Sequence, residues 1–392
     1  MKVLQINSVC GIRSTGRICT DIAQVLEAAG HTCMVAYGRE SVPEKLQKFA
    51  HPIATVWSNR LDGIASRIFD NAGFNSKTKT QEFIKWMKEY DPDIIHLHNI
   101  HGYYIHVGLL FQALKEMGKP VIWTLHDCWS FTGHCSHFDF AGCDKWRTGC
   151  RQCERVHVYP SSLGYDNARN NFARKKELFT GVKNLTIVTP SQWLADLVKQ
   201  SFLKAYPVQV IPNGIDLSVF KPTAGNFREQ YGLQDKKIVL GVASAWGKTK
   251  GYADMLKLPE LLGKDYQVVI VGIDQDQKDT LPANIIGITR TNNVQQLAEI
   301  YTAADLFVNP TYQDTYPTVN LEAQACGTPV ITYATGGSVE SVPAEQVVEK
   351  GAIVALCEAI KHNDSCRVLQ QDFSAQTAFA KYLELYEGCL KK

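Results

Sequence analysis

Apolar residues along this chain fall into two alternating rhythms. Short runs rich in Val, Ile and Leu read as buried strands, and between them lie stretches whose apolar positions recur at helical spacing. The strand runs cover residues 3–7, 33–37, 94–97, 121–125 and 186–189. In the second half they cover 208–211, 238–243, 267–271, 285–288, 306–309 and 329–332. Helical patterns fall at 17–29, 81–89, 192–201, 294–303 and 318–325. Continuous apolar strands alternating with helices predict an α/β protein of parallel sheets and βαβ units. There are enough strands for two doubly wound, Rossmann-like domains, and ligands in such sheets bind at the C-terminal ends of the strands. Ala205-Tyr-Pro reads as the linker, which gives a first domain over 1–205 and a second over 206–372.

Composition changes this picture little. The chain has 392 residues, 45% hydrophobic and 20% charged, a globular profile long enough for two cores. No apolar run reaches the length of a membrane-spanning helix. The first residues read as a strand rather than an export signal, so the twelve cysteines are expected to be reduced thiols or metal ligands in a cytoplasmic protein. Charge is uneven. Residues 1–205 carry net +7 and ten of the eleven histidines, whereas the remainder carries net −5. A basic, His-rich first half suits an anionic partner such as phosphate or a membrane surface, although solvated surface charge explains any single patch equally well. Nothing points to nucleic acid.

The most informative motif is Asp314-Thr-Tyr-Pro-Thr-Val-Asn-Leu-Glu322, followed by Ala-Gln-Ala-Cys-Gly-Thr-Pro329. Pro317 suits the first position of a helix, while Gly327 and Pro329 end it. Asp314 then sits in the loop and Glu322 on the helix. The N–H groups of Thr318 and Val319 stand at a positive helix end, with Thr315 and Tyr316 just before it, a natural place for a phosphate. A solvated Glu and a loop Asp would be the plainer explanation. Two weaker signals accompany it. Gly11 and Gly16 bracket a strand-to-helix loop before Arg17, but Arg17-Ile18 replaces the Lys-Ser/Thr of a P-loop. Lys248 and Lys250 precede Gly251 after a strand and could neutralise a diphosphate.

Cys135, Cys143, Cys150 and Cys153 cluster in one polar segment. Cys150-Arg-Gln-Cys153 has zinc-site spacing, so a structural zinc is expected, with Cys128, His134 and His137 as alternative ligands and free thiols as the other reading. His96 and His98 alternate along a strand and are expected to face opposite sides of the sheet. Residues 77–88 and 169–183 mix basic with aromatic side chains and could meet a membrane, or form ordinary amphipathic helices.

Together the motifs resemble the retaining GT-B glycosyltransferases of family 4. The matching stretches are 11–17, Val210-Ile-Pro-Asn-Gly-Ile-Asp216, Lys250-Gly251, and Asp314–Glu322 with Ala-Cys-Gly-Thr-Pro329. Within the family, residues 125–135 look like enzymes that build capsule or exopolysaccharide repeat units. The resemblance implies two Rossmann-like domains facing across a donor cleft, with a last helix, 373–392, returning to the first domain. It gives roles by position: Gly16 approaches the diphosphate and Lys250 neutralises it. Glu322 holds ribose, Asp314 a hydroxyl of the transferred sugar, and His126 lies at the reaction centre. It also implies a UDP- or GDP-sugar donor, a lipid-linked sugar acceptor at the inner membrane face, and no metal for transfer. Two positions depart from the pattern. Asp314 stands where Glu is commoner, and Ala245 replaces an arginine whose charge Lys248 or Arg17 would supply. A nucleotide-sugar epimerase and a silent nucleotide-sugar-binding protein are the competing readings.

Overall fold

A computed structural model describes residues 1–362 and 366–391. The chain divides into two compact units, Met1–Pro212 with Ala378–Lys392, and Asn213–Thr377. Lys392 itself lies outside the described residues.

The first unit runs β1 (Lys2–Asn7), α1 (Arg13–Ala28), β2 (Thr32–Tyr37), β3 (Ala50–Pro52), α2 (Val56–Phe69), α3 (Lys77–Tyr90), β4 (Ile94–Leu97), α4 (Val107–Met117), β5 (Val121–Thr124), α5 (Ala168–Phe179), β6 (Leu185–Thr189), α6 (Gln192–Gln200) and β7 (Val208–Val210). Its sheet is ordered β3-β2-β1-β4-β5-β6-β7, and every pairing is parallel. The central strands are apolar on both faces: β4 and β5 are wholly buried, as a sheet sandwiched between helices requires. β7 pairs with β6, so the segment read as opening the second domain completes the first sheet. The boundary therefore falls after Pro212, not at Ala205-Tyr-Pro.

The second unit runs α7 (Phe227–Tyr231), β8 (Lys237–Val242), α8 (Tyr252–Leu262), β9 (Tyr266–Val271), α9 (Gln275–Asp279), β10 (Ile285–Ile288), α10 (Val294–Ala303), β11 (Leu306–Asn309), α11 (Thr318–Ala325), β12 (Val330–Tyr333), β13 (Val347–Val348) and α12 (Ile353–Lys361). Its order, β10-β9-β8-β11-β12-β13, is again parallel throughout. The segments entering and leaving this unit lie side by side. Ile215 N–H donates to Phe373 O, and Ala375 N–H to Ile215 O, both at 2.8 Å. A side chain on Gly214 would meet Ala375 Cα at 2.5 Å.

The last helix, α13 (Ala375–Leu390), then rejoins the first unit. Its Tyr386 hydroxyl lies 2.6 Å from His96 Nδ1, and its Tyr382 hydroxyl 3.0 Å from Thr124 Oγ1. His96 Nε2 in turn bonds Thr124 at 2.8 Å, so His96 is a structural clasp. The two strand histidines share one face, their ring centroids 3.9 Å apart. The expectation of opposite faces was wrong because strand side chains repeat with period two.

Neither stretch read as membrane-facing turns its apolar residues outward. In α3, Phe83 and Met87 are buried, and Trp86 stacks on His51 and Tyr90. In α5, Arg174 lies over Phe74, and Lys175 is buried against Trp129. Both are amphipathic helices packed on the core.

Candidate functional site

In each sheet the chain reverses its direction of travel between the first strand laid down and its later neighbour: β1 and β4 in one, β8 and β11 in the other. The loops leaving those strands diverge and open a crevice at their C-terminal ends. Lys250 and Asp314 follow β8 and β11, and other predicted residues lie elsewhere.

In the second unit, β8 leads to a single turn at Lys248–Lys250 and then Gly251. Gly251 has φ +73°, and a Cβ there would come 2.1 Å from Pro310 O, so only glycine lets the two loops touch. Tyr312 N–H donates to Thr249 O at 2.8 Å across the same contact. Lys250 Nζ consequently reaches Asp314 Oδ2 at 2.7 Å in a half-buried ion pair, while Asp314 Oδ1 accepts from Tyr316 N–H at 3.2 Å. Lys248 is exposed beside them.

Helix α11 starts just after Pro317. Asn320 N–H bonds Pro317 O, while the N–H groups of Thr318 and Val319 precede any carbonyl four residues back in the helix. The helix is held by buried polar bonds. Asn309 donates to Asn320, which donates to Ser338 and Ser341, and Gln324 donates to Ser341 O. Glu322 Oε2 accepts from the Tyr301 hydroxyl at 3.0 Å; burial pushes that phenol well up, so it stays a donor. Thr315 and Tyr316 are buried, and Tyr316 packs into the core, which leaves neither side chain at the surface of the crevice. Asp254, not singled out in the sequence, accepts from Tyr312 and Tyr333 and locks the β11 loop to α8.

In the first unit, α1 begins at Arg13, so Gly16 and Arg17 lie inside the helix and not in the loop before it. Gly16 is buried, and its Cβ would meet Val9 Cγ2 at 3.0 Å and Gly11 N at 3.2 Å. Its smallness serves the packing of α1 on the loop, with Gly11 N–H donating to Gly16 O at 3.0 Å. Arg17 is exposed.

His126 follows β5 and joins a directed chain of bonds. Gln5 Nε2 donates to Cys19 O, leaving Gln5 Oε1 to accept from His98 Nε2 at 2.9 Å. His98 Nδ1 is then the acceptor, so His126 Nε2 donates to it at 3.0 Å and His126 Nδ1 carries the lone pair. Burial drives His98 well below its usual range. It lowers His126 to about 4, Asp127 opposing and the neighbouring His101 adding to the fall. Beside it, Asp127 accepts from His101 at 2.8 Å and from Trp129 N–H at 2.9 Å. Burial alone would raise this carboxyl; the charge and hydrogen bond of His101 override it and hold it at about 2. Gln5, His98, His101 and Asp127 were missed as a group because strand spacing gives no sign of which loops meet. A cavity of about 10 Å³ opens among His98, His101, His126 and Asp127.

All four clustered cysteines, Cys135, Cys143, Cys150 and Cys153, line one cavity of about 30 Å³ in the loop between β5 and α5. All are free thiols. Burial pushes Cys135 up to about 12 and Cys153 to about 11, and raises Cys150. Gly133 N–H donates to Cys150 Sγ at 3.1 Å. His134 is not available as a ligand, because its nitrogens are engaged by Asp70 and Val158 O. The donor chemistry suits zinc. The arrangement does not: among the described residues, no group of three or more His, Cys, Asp or Glu side chains is placed to hold a metal ion.

Comparison with known proteins bears on this geometry. Sucrose-phosphate synthase from Thermosynechococcus elongatus superposes with TM-score 0.70 at 17% identity, covering 99% of this chain and 98% of that one. Anabaena Alr3699/HepE in complex with UDP superposes with TM-score 0.69 at 13% identity, covering 99% and 100%. At such identities the likeness speaks to fold. In sequence, the chain is 25% identical over 345 residues to a protein of Escherichia coli (strain K12) named for colanic acid biosynthesis glycosyl transferase WcaC, covering 84% of this chain and 82% of that one. It is 33% identical over 172 residues to D-inositol 3-phosphate glycosyltransferase of Arthrobacter sp. (strain FB24), a match spanning 40% of this chain and 41% of the relative. The protein is a GT-B glycosyltransferase, an α/β enzyme of two doubly wound parallel sheets. The model for the glycosyl transferases group 1 matches residues 224–378. The model for Glycosyltransferase Family 4 matches residues 15–219, more than half of the chain, and the chain belongs to that family.

Proposed function

We propose that this glycosyltransferase moves a sugar, with retention of configuration, from a UDP- or GDP-sugar to a lipid-linked oligosaccharide in polysaccharide assembly, at the cytoplasmic face of the membrane. The observation that carries the donor assignment is the Lys250–Asp314 pair at the switch point of the second sheet, just before α11, the helix that carries Glu322. The WcaC-named relative supports the polysaccharide role, and the HepE structures with UDP and UDP-glucose support a uridine nucleotide sugar.

Each group then has a task. Glu322, steadied by Tyr301, accepts the ribose hydroxyls. The first N–H groups of α11 take the diphosphate, with Lys250 and Lys248 adding charge. Lys250 cannot grip phosphate and Asp314 equally, so donor binding draws it away and releases Asp314 to accept a hydroxyl of the transferred sugar. As the bond to the diphosphate breaks, Lys250 stabilises the charge that develops on the leaving group. His126, held neutral at the end of β5, lies at the reaction centre beside the transferred sugar. The leaving phosphate helps to deprotonate the acceptor on the same face. No metal is needed for these roles.

A structural zinc on Cys135, Cys143, Cys150 and Cys153 is a separate proposal. It requires the four sulfurs to lose their protons and draw in around the ion, since they are not placed to hold a metal as they stand.

The deciding experiment incubates the pure protein with labelled UDP-, GDP- and ADP-sugars, with and without a lipid-linked acceptor. Slow release of the sugar from one of them, accelerated by the acceptor, supports the proposal. Inversion at C2 of the sugar, or binding without turnover, refutes it in favour of an epimerase or a silent binding protein.

A further inference from the structure

Helix α2 is built inside out. Its inward face is polar. Asp62, only 3% exposed, accepts from Ser66, Asn75 and Ser76, and Asn59 donates to Gly38 O. Its outward face is apolar: Trp57 is 72% exposed, Leu61 66%, Ile64 54% and Ile68 44%. These positions fall on one side at 3.6 residues per turn. Thr55 and Ser58 close a capping box at its start, so the helix is firmly formed while exposing this face. Leu163, 77% exposed, extends the patch, since its N–H bonds Arg67 O at 2.7 Å.

The exposed charges of α2 itself have one sign. Arg60 and Arg67 stand on the outward side, Arg60 lying 5.4 Å from the Trp57 ring centroid. Asp62, the one acid in the helix, is turned inward and fully engaged. Aromatic and aliphatic side chains flanked by arginines, with no outward carboxylate, complement an anionic lipid headgroup layer over hydrocarbon. Among the described residues, no helix is long and apolar enough to cross a membrane.

We propose that the outward face of α2 docks the first unit on an anionic phospholipid bilayer. This builds on the lipid-linked acceptor proposed above and gives it an entry route. A Cβ on Gly63 of α2 would lie 3.8 Å from the Tyr103 ring and one on Gly102 3.6 Å from Arg39 Cζ, Tyr103 packs on Tyr159 at 6.2 Å, and Tyr159 reaches His101 at 3.2 Å. The docked face thus adjoins, through Tyr103 and Tyr159, the loop that carries His101, with Arg39 beside Gly102.

The test sediments the full chain with vesicles of equimolar phosphatidylglycerol and phosphatidylcholine, and with phosphatidylcholine alone. Binding to the anionic vesicles is expected, weakening with salt. Leu61→Glu with Ile64→Glu should lower the bound fraction by roughly tenfold or more, without changing the thermal unfolding of these exposed positions. Arg60→Ala and Arg67→Ala should each weaken binding about fivefold on anionic vesicles only. Nucleotide-sugar hydrolysis without lipid is read on the same samples, so loss of docking and failure of the donor assignment are told apart. A chain that stays in the supernatant, or binds equally well with both glutamates in place, overturns the proposal. So does a lipid-free dimer that these glutamates dissociate, since the face would then belong to a second copy.

Discussion

Acidification should unlock the first sheet through its histidines. His96, His98 and His126 are each held neutral by burial, His126 at about 4 and the others well below their ordinary range. In the unfolded chain all three return to about 6.5. Between those values the unfolded state binds more protons than the folded one, so stability is full above about pH 6.5 and falls as pH drops toward 4. For His126, the change from pH 7.5 to 5.0 is set by the unfolded histidine gaining a proton that the folded one refuses. With the shift from 6.5 to about 4, this costs about 2 kcal/mol. The assay is urea unfolding at the two pH values, followed by tryptophan fluorescence, for the wild type, His126→Gln and His98→Gln. Each variant should be less stable at pH 7.5, having lost a hydrogen bond of the Gln5–His98–His126 chain. His126→Gln should also lose about 2 kcal/mol less than the wild type on acidification, and His98→Gln should likewise lose less than the wild type. Parallel pH dependence in all three proteins, within about 0.5 kcal/mol, would refute the neutral relay, because a titration difference of that size lies well below a single shifted histidine.

Three further outcomes test the second unit and the cysteine loop. Glu322→Ala and Lys250→Ala should each cost about 2–4 kcal/mol in transfer, read as kcat/KM, with thermal unfolding near that of the wild type. Asp314→Asn frees Lys250 from its 2.7 Å pair and should tighten binding of free UDP by at most about fivefold, measured by calorimetry, while turnover drops. Protein purified without chelator should carry about one zinc per chain by elemental analysis; no metal, with four thiols titrating freely in the Cys135–Cys153 segment, rules the zinc out.

Most of the sheet was legible because its strands are buried on both faces and so read as unbroken apolar runs. β3 and β13 were not read, being edge strands of three and two residues. The start of α1 was misplaced because Gly16 looks like a loop residue; its glycine is demanded by the packing of the helix on Val9 and Gly11. α2 escaped for a deeper reason. Pattern reading sends apolar residues inward, and here the polar side is inside, satisfied by Asn75 and Ser76 from outside the helix. The basic-aromatic stretches 77–88 and 169–183 drew attention instead, although their rings fill the core. The four cysteines were found because sequence proximity alone places them together. The bond chain Gln5–His98–His126 links β1, β4 and the end of β5, and only the sheet order brings those together.

That sheet order also explains why the chemistry-bearing residues stand where they do. In each unit the first strand has neighbours reached by crossovers in opposite directions, so the loops after β1 and β4, and after β8 and β11, part from each other. A crevice made this way is lined by main chain and by whatever the strand ends present. In the second unit it presents Lys250 and Asp314, paired with each other and held in register by a glycine that no larger residue can replace. In the first it presents His98, His101, His126 and Asp127, joined in two hydrogen-bonded pairs. The two crevices thus hold opposite resources. One holds a cation paired with a carboxylate just before α11, and the other holds imidazoles kept neutral by burial beside a firmly ionised carboxylate.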